Sequence, residues 1–418
     1  MQTQDTPRLL RPLPFAALLT LALMAWPLVA GFRVANDDIA FVRAAYQEGT
    51  LAEAVSYAWF ESPSFRPLEV LVGHFADPVG LTAWPALPIQ AAGLLCFLLG
   101  LARLCAICLP GLPRAYLPAL LFAACTAPTT CSVWQMDTCS QTWIAALGAW
   151  STIACWHAVE RAREGRVAWR ETAFLALAFL VGVNVKESFY GWSLGLGVML
   201  AVAAALLARG GLRRGAVLLA PLAPVILVGV VHIAIRFATT SLGERFADAA
   251  PGEEGRYQAV FGMNIVLNAL VSLGAGFGPG PTHLIADEDA SLALRLASVA
   301  SAAACAFMAL VVAGFSVLSS RLPRGVAFGA FGFVAAAAAM SISATLPMRT
   351  ASELYVLGPN IVPAMLFGAC LCLLWNPGSR DERAMARGLA LLCTTIVATA
   401  GLYGLWSRAE HFRIVWRS

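Results

Sequence analysis

Apolar windows of roughly 20 residues recur along the whole chain, and each is long enough for one helix to cross a bilayer. Of the 418 residues, 59% are hydrophobic and 12% are charged, and this charged fraction is about half that of a soluble domain. We therefore predict an all-α polytopic membrane bundle in which residues 1–418 form a single integral-membrane domain. About eleven transmembrane helices are predicted, near residues 12–32, 88–109, 115–131, 141–159, 172–185, 189–208, 215–235, 293–318, 325–346, 355–375 and 387–407.

The distribution of arginine predicts the orientation of this bundle. An odd number of spans places the two termini on opposite sides of the membrane. If the N-terminus is cytoplasmic, the short loops on its side are strongly positive, whereas the reverse orientation would violate the positive-inside rule. The arginines of these loops include Arg161, Arg163, Arg166, Arg170, Arg209, Arg213, Arg214, Arg380, Arg383 and Arg387. The C-terminal tail, SRAEHFRIVWRS, is the one exception, because its arginines fall outside.

Two long segments, 33–87 and 236–292, are then predicted to lie on the extracytoplasmic side. The first mixes aromatic residues with acids at roughly helical spacing, which is typical of short helices lying in the membrane interface. The second begins with an acidic, glycine-rich stretch and continues into another interfacial or re-entrant helix. Because the inner loops are short, we expect any functional site at the extracytoplasmic surface.

Asp37 and Asp38 follow directly on the first predicted span. Adjacent residues do not share a helix face, so at most one of them is expected to point into a site. Such a carboxylate can act as a general base or help to hold a divalent metal. The alternative is a helix start, with Asn36 or Asp37 as the N-cap and Asp38 in the first turn, where negative charge suits the helix dipole.

Three cations from distant parts of the chain are predicted at the same outer boundary. Arg66 precedes a proline, and its guanidinium offers a rigid fork for a phosphate; the alternative is contact with lipid headgroups. Lys186 is the only lysine of the chain and lies at the end of a span beside Glu187, so it either faces an anionic ligand or forms a neutral pair. Arg349 shares a helix face with Glu353, and snorkelling to the interface is its alternative interpretation.

Asp137 is a lone acid between two predicted spans, where solvation in a loop competes with a role in the site. A carboxylate beside a cationic pocket at headgroup level suits the transfer of a group from a polyprenyl phosphate. The leaving phosphate needs its charge neutralised while an acceptor loses a proton. The sequence has no glycine-rich phosphate loop for a soluble nucleotide, so an activated donor would have to arrive in the lipid.

The chain resembles the GT-C superfamily of membrane glycosyltransferases, most closely the protein O-mannosyltransferase-like branch and its bacterial relatives. The resemblance is carried by Asn36-Asp37-Asp38 in the first outer loop, Ser64-Phe65-Arg66-Pro67-Leu68, Lys186-Glu187 at a span end, and Ser352-Glu353 with Tyr355. The family's late motif has arginine after its glutamate, whereas this chain has Leu354 there and Arg349 before it.

This resemblance implies that Asp37 or Asp38 is the catalytic base or the acid of a metal site. It implies that Arg66, Lys186 and Arg349 bind the donor phosphate, with Glu187, Glu353, Tyr355 and Asp137 in support. The implied protein lies in a bacterial inner membrane and moves a sugar from a polyprenyl-phosphate donor to an extracytoplasmic lipid, glycan or protein. The alternatives are a transporter or flippase of lipid-linked sugars and an O-antigen ligase or polymerase. Nucleic acid is not an expected partner.

Overall fold

The computed structural model describes residues 11–30, 50–60, 86–134, 139–186, 188–239, 326–341 and 357–375, with scattered positions in 262–266 and 388–413. Every regular element in these ranges is helical. The helices are α1 Leu13–Ala30, α2 Leu51–Phe60, α3 Ala86–Cys108, α4 Tyr116–Cys125, α5 Ala127–Trp134, α6 Cys139–Arg163, α7 Trp169–Val185, α8 Phe189–Ala208, α9 Leu212–Ala216, α10 Leu219–Thr239, α11 Val326–Met340 and α12 Ile361–Trp375.

The length and hydropathy of these helices confirm a helical membrane protein. Within the described part of the chain, four helical stretches are long and apolar enough to cross a bilayer: α1, α3, α8 and the stretch Leu212–Ile235 that joins α9 to α10. Shorter apolar helices lie at Tyr116–Cys125, Gly329–Met340 and Ile361–Cys372. The total of eleven spans stays a prediction, and the spans near 293–318 and 387–407 fall outside the continuously described ranges.

The predicted span 115–131 is wrong as a single helix. The chain leaves the helical conformation at Thr126, whose backbone is extended with φ −74° and ψ 155°, and α5 begins at the next residue. Pro128 explains the break, because proline has no N–H to continue the ladder of α4 but fits the first turn of a new helix. The predicted span 355–375 also begins later than expected, since a turn at 357–360 precedes α12.

Small residues allow the central helices to approach closely. A Cβ added at Gly148 of α6 would lie 2.2 Å from Cε2 of Trp192 on α8, so the indole fills the space that the glycine leaves. On the other side of α8, a Cβ at Gly191 would lie 2.1 Å from the carbonyl oxygen of Ser341. Close backbone approach of this kind is the usual way that helices associate in a membrane.

One end of the bundle, here called the arginine end, consists of the turns at 164–168 and 209–211 with their flanking residues. Gly165 adopts a positive φ of 69° in the first of these turns. Arg161 and Glu171 join α6 to α7 across it, with nitrogen and oxygen 3.3 Å apart. The guanidinium of Arg163 lies over the Trp156 ring at 5.6 Å. These turns are as short as the sequence predicts for the inner face.

The segment at 33–87, which is predicted to lie outside, contains α2, in agreement with the helix predicted there. Its start is a reciprocal cap: the Thr50 backbone N–H donates to Glu53 Oε2 at 2.9 Å, and the Glu53 N–H donates to Thr50 Oγ1 at 3.3 Å. The Thr50 hydroxyl also donates to Glu53 Oε2 at 2.6 Å, and this bond, followed by the one from the Thr50 N–H, holds the pKa of the Glu53 carboxyl below its ordinary value. The position of α2 in the membrane interface stays a prediction.

Candidate functional site

The end of the bundle opposite the arginine end, here called the lysine end, is built from helix termini. It comprises Lys186 between α7 and α8, Ser341 after α11, Asn360 before α12, and the α4–α5 break at Thr126. Irregular backbone at membrane depth is tolerated only where protein buries it or where it lines a cavity. The gathering of four such points therefore makes this end the candidate site.

Direct contacts connect these points across the bundle. Gly191, in the first turn of α8, packs on the backbone of Ser341. A Cβ added at Gly358 would lie 2.9 Å from Ser341 Oγ and 2.9 Å from the Trp192 ring, so the turn before α12 meets the same place. Asn360 then donates from Nδ2 to Thr126 Oγ1 at 2.6 Å. These contacts thus connect α8, the end of α11, the turn before α12 and the α4–α5 break at one end of the bundle.

Lys186 is buried, with 3% of its surface exposed. It ends α7 with an extended backbone, its N–H donates to the Gly182 carbonyl at 3.2 Å, and its own carbonyl accepts the Phe189 N–H at 3.0 Å. A lysine without a function at a span end extends its ammonium to water. Lys186 therefore does not extend its ammonium to water, and its predicted contact with an anionic ligand stays a prediction.

The α4–α5 break is held by threonine hydroxyls. Thr126 and Thr129 both donate to the carbonyl of Ala123, at 2.9 and 2.5 Å, and Thr130 donates to the carbonyl of Thr126 at 3.1 Å. These bonds satisfy carbonyl groups that the interrupted helix leaves open, as a helix break inside a membrane requires. Asn360 adds the connection to α12 described above.

A tyrosine–histidine pair lies near the same end. Tyr190 is in the first turn of α8, and its hydroxyl lies 2.5 Å from Nδ1 of His232 on α10. His232 is 6% exposed, so an ionisable ring is buried among apolar helices. Intramembrane histidines are functional candidates by default. Sequence reasoning missed His232, Thr126 and Asn360, although Pro128 after Thr126 and the Gly-Pro before Asn360 are available signals of a break.

Lys186 is the one predicted site residue that lies within the described ranges. The other predicted residues lie outside them: Asp37, Asp38, Arg66, Asp137, Glu187, Arg349, Glu353 and Tyr355. Their convergence therefore stays a prediction. The described residues Ser341 and Leu357, which flank the segment holding Arg349 and Glu353, both belong to or adjoin the lysine end.

The described residues contain no group of three or more His, Cys, Asp or Glu side chains placed to hold a metal ion. The carboxylates predicted as metal ligands, Asp37 and Asp38, lie outside those residues.

Comparison with known proteins shows a shared fold. No family model matches the chain, and no curated protein matches it. The crystal structure of the Archaeoglobus fulgidus oligosaccharyltransferase tethered to an acceptor peptide aligns with a TM-score of 0.54 and 14% identity, over 96% of this chain and 55% of that one. Its apo form aligns with a TM-score of 0.49 and 13% identity, over 95% and 56%.

The chain thus spans little more than half the length of the archaeal enzyme. At this level of identity the alignment shows a fold shared with the archaeal oligosaccharyltransferase. This shared fold agrees with the resemblance predicted from the sequence, whereas the roles of the motif residues stay predictions.

Proposed function

We propose that this protein is a GT-C-type glycosyltransferase that moves a sugar from a polyprenyl-phosphate-linked donor to an extracytoplasmic lipid, glycan or protein. The observation that carries the proposal is the burial of the chain's single lysine at a helix interruption of this fold. The archaeal neighbour is an oligosaccharyltransferase that was crystallised with an acceptor peptide, and this supports an acceptor outside the donor lipid.

The charge of Lys186 suits a phosphate that changes charge during a reaction. Lys186 is buried, so its ammonium is held in place by the surrounding protein, and the phosphate of a donor that arrives in the lipid is the anion proposed to contact it. When the bond between sugar and phosphate breaks, negative charge grows on the phosphate oxygens, so a fixed cation stabilises the transition state more than the ground state. Arg66 and Arg349 are the further cations proposed for this phosphate.

The proposed step is a single displacement at the anomeric carbon. An acceptor O–H or N–H attacks this carbon, its proton passes to the carboxylate of Asp37 or Asp38, and the bond to the phosphate oxygen breaks with its electron pair staying on the phosphate. The products are the glycosylated acceptor and a polyprenyl phosphate held by the cations.

The test uses purified full-length protein and polyprenyl-phosphate hexoses and pentoses labelled in the sugar. We expect release of polyprenyl phosphate together with transfer to an added lipid, glycan or peptide acceptor, or slow hydrolysis without one. An Asp37→Asn, Asp38→Asn double variant should lose this activity while staying folded. Full transfer by the double variant would rule out the proposed base.

A flippase of lipid-linked sugars is a second candidate, because the interrupted pair α4–α5 is a feature that transporters share. The two candidates differ in what happens to the bond between sugar and phosphate. In sealed vesicles, a flippase moves the labelled lipid across the bilayer and leaves it intact, whereas a transferase cleaves it. Translocation without cleavage would replace the proposed function with this one.

A further inference from the structure

Two buried oxygen atoms beside the α4–α5 break have no hydrogen-bond partner among the described residues: Oδ1 of Asn360 and Oγ of Ser132. We propose that the Thr126–Asn360 cluster, defined as Thr126, Thr129, Thr130, Ser132 and Asn360, binds a hydroxyl group of the donor sugar. This inference rests on the proposed function and extends it by assigning a neutral subsite beside the phosphate-binding cation.

The side-chain oxygen of Asn360 does not cap α12. It occupies the position before α12, and its carbonyl accepts the Ala364 N–H at 3.1 Å. An asparagine at that position usually accepts a hydrogen bond from the first turn through its side-chain oxygen. Here Nδ2 donates instead to Thr126 Oγ1 at 2.6 Å, and Oδ1 makes no bond within the described ranges.

The neighbouring hydroxyls cannot satisfy Asn360 Oδ1, because the helix break already uses their protons. Thr126 and Thr129 donate to Ala123, and Thr130 donates to Thr126. Asn360 has 0% of its surface exposed, so bulk water does not reach the side chain. A buried acceptor without a donor is destabilising, and it persists where a ligand or ordered water supplies the missing bond.

Ser132 has a hydroxyl that can donate a hydrogen bond, whereas Asn360 Oδ1 can only accept one. It lies one helical turn after Thr129 on α5, is fully buried, and its Oγ is also without a partner in the described part of the chain. A serine hydroxyl can donate, and the Asn360 oxygen can accept. A hydroxyl group both donates and accepts, so it can bond to either of these two oxygens. The cluster contains no charged residue, so the fitting group is a neutral hydroxyl rather than a phosphate or an amine.

The cluster lies at the same end of the bundle as Lys186. Asn360 connects through Gly358 and Ser341 to Gly191, and Lys186 precedes Gly191 by about one and a half helical turns. A resident water has the same O–H chemistry, so the experiment must distinguish it from a sugar hydroxyl.

The experiment measures kcat/KM for a polyprenyl-phosphate hexose that the wild type turns over and for its monodeoxy analogues. We expect the wild type to lose about 10-fold or more with one particular analogue. Asn360→Leu should lose a similar factor with the parent donor and should show no further loss with that analogue. Ser132→Ala should reduce the ratio of kcat/KM between the parent donor and that analogue. Ser151→Ala, which removes a buried oxygen without a described partner elsewhere on α6, is the matched control and should behave as the wild type.

Thermal unfolding in detergent checks that each variant is folded. If Asn360→Leu does not fold, Ser132→Ala decides the question, because it removes an oxygen that makes no bond to the described structure. Variants that weaken all donors equally and keep the wild-type discrimination would overturn the proposal and leave a resident water at the cluster. A wild type that turns over no lipid-linked sugar refutes the proposed function itself, and that result is read before any variant is compared.

Discussion

The two ends of the bundle treat polar groups in opposite ways. At the arginine end, charges are exposed and pair with one another, as in Arg166 and Glu164, whose side chains are 77% and 64% exposed and 3.4 Å apart. At the lysine end, the polar groups are buried, mostly neutral, and linked across helices through Asn360 and Thr126. Exposed pairs contribute little to stability, whereas buried polar groups must be satisfied or they are costly. This contrast is the basis for proposing that the arginine end orients the protein and that the lysine end holds the site.

The largest expected effect comes from removing one cation at each end. Lys186→Met keeps the apolar stem and should lower kcat for sugar transfer by about 10²- to 10³-fold, because one fixed donor to the leaving phosphate is lost. Arg166→Met removes an exposed cation at the arginine end and should change kcat little. Initial rates with saturating labelled donor measure both variants. Equal losses would remove the functional distinction between the ends.

Substituting one glycine at each end should separate the free-energy cost of tight packing from the cost of an unfavourable backbone conformation. Gly191→Ala places a methyl group against the Ser341 carbonyl and should cost about 1–3 kcal/mol of unfolding free energy through overpacking. Gly165→Ala meets nothing within 4 Å but must adopt a positive φ, which should cost about 1 kcal/mol. Reversible unfolding in mixed detergent measures both costs. A larger cost at Gly165 would contradict tight packing at the lysine end.

A smaller effect is expected for the ion pair between α6 and α7. Arg161→Gln removes the partner of Glu171, and because the Arg161 side chain is 43% exposed and the Glu171 side chain 15% exposed, the loss should be about 1 kcal/mol. Raising the salt concentration should shrink the difference between wild type and variant. A loss of several kcal/mol, independent of salt, would mean that the arginine end is also a buried core.

The smallest effect is expected at the cap of α2, which is exposed. Because the Thr50 hydrogen bonds lower the pKa of Glu53 in the folded protein, its contribution is present above the ordinary value of 4.5 and is lost as pH falls through the lowered pKa. The protection of the amides at the start of α2, which is their exchange rate compared with the intrinsic rate at the same pH, should therefore fall in acid. Glu53→Gln, compared at neutral and acid pH, should remove this extra dependence.

Much of the helical framework could be predicted because span-length apolar runs are long-range averages. The predicted span 189–208 coincides with α8, since polar residues mark both of its ends. The same averaging hid the break at Thr126, because no charged residue interrupts the run at 115–134. Pro128 was the local signal, because proline interrupts the hydrogen bonds of a helix but hardly changes the mean hydropathy of the segment.

The site was harder to predict than the fold. Lys186 could be selected because it is the only lysine, and the structure adds that it is buried. Asn360 and His232 are single polar residues in apolar surroundings, where their importance depends on partners far away in the sequence. The bond from Asn360 to Thr126 joins residues 234 positions apart, and no spacing rule predicts such a contact.

Because Lys186 is the only lysine, chemical modification or cleavage at this residue reports on this region of the protein alone. An amine-selective reagent has one side chain to modify, and that side chain is buried, so the rate of acylation measures how often this region opens. Endoproteinase that cleaves only after lysine has, for the same reason, one peptide bond to cut in the whole chain. Protection of that bond by a lipid-linked sugar would measure occupancy directly, without a label on the substrate.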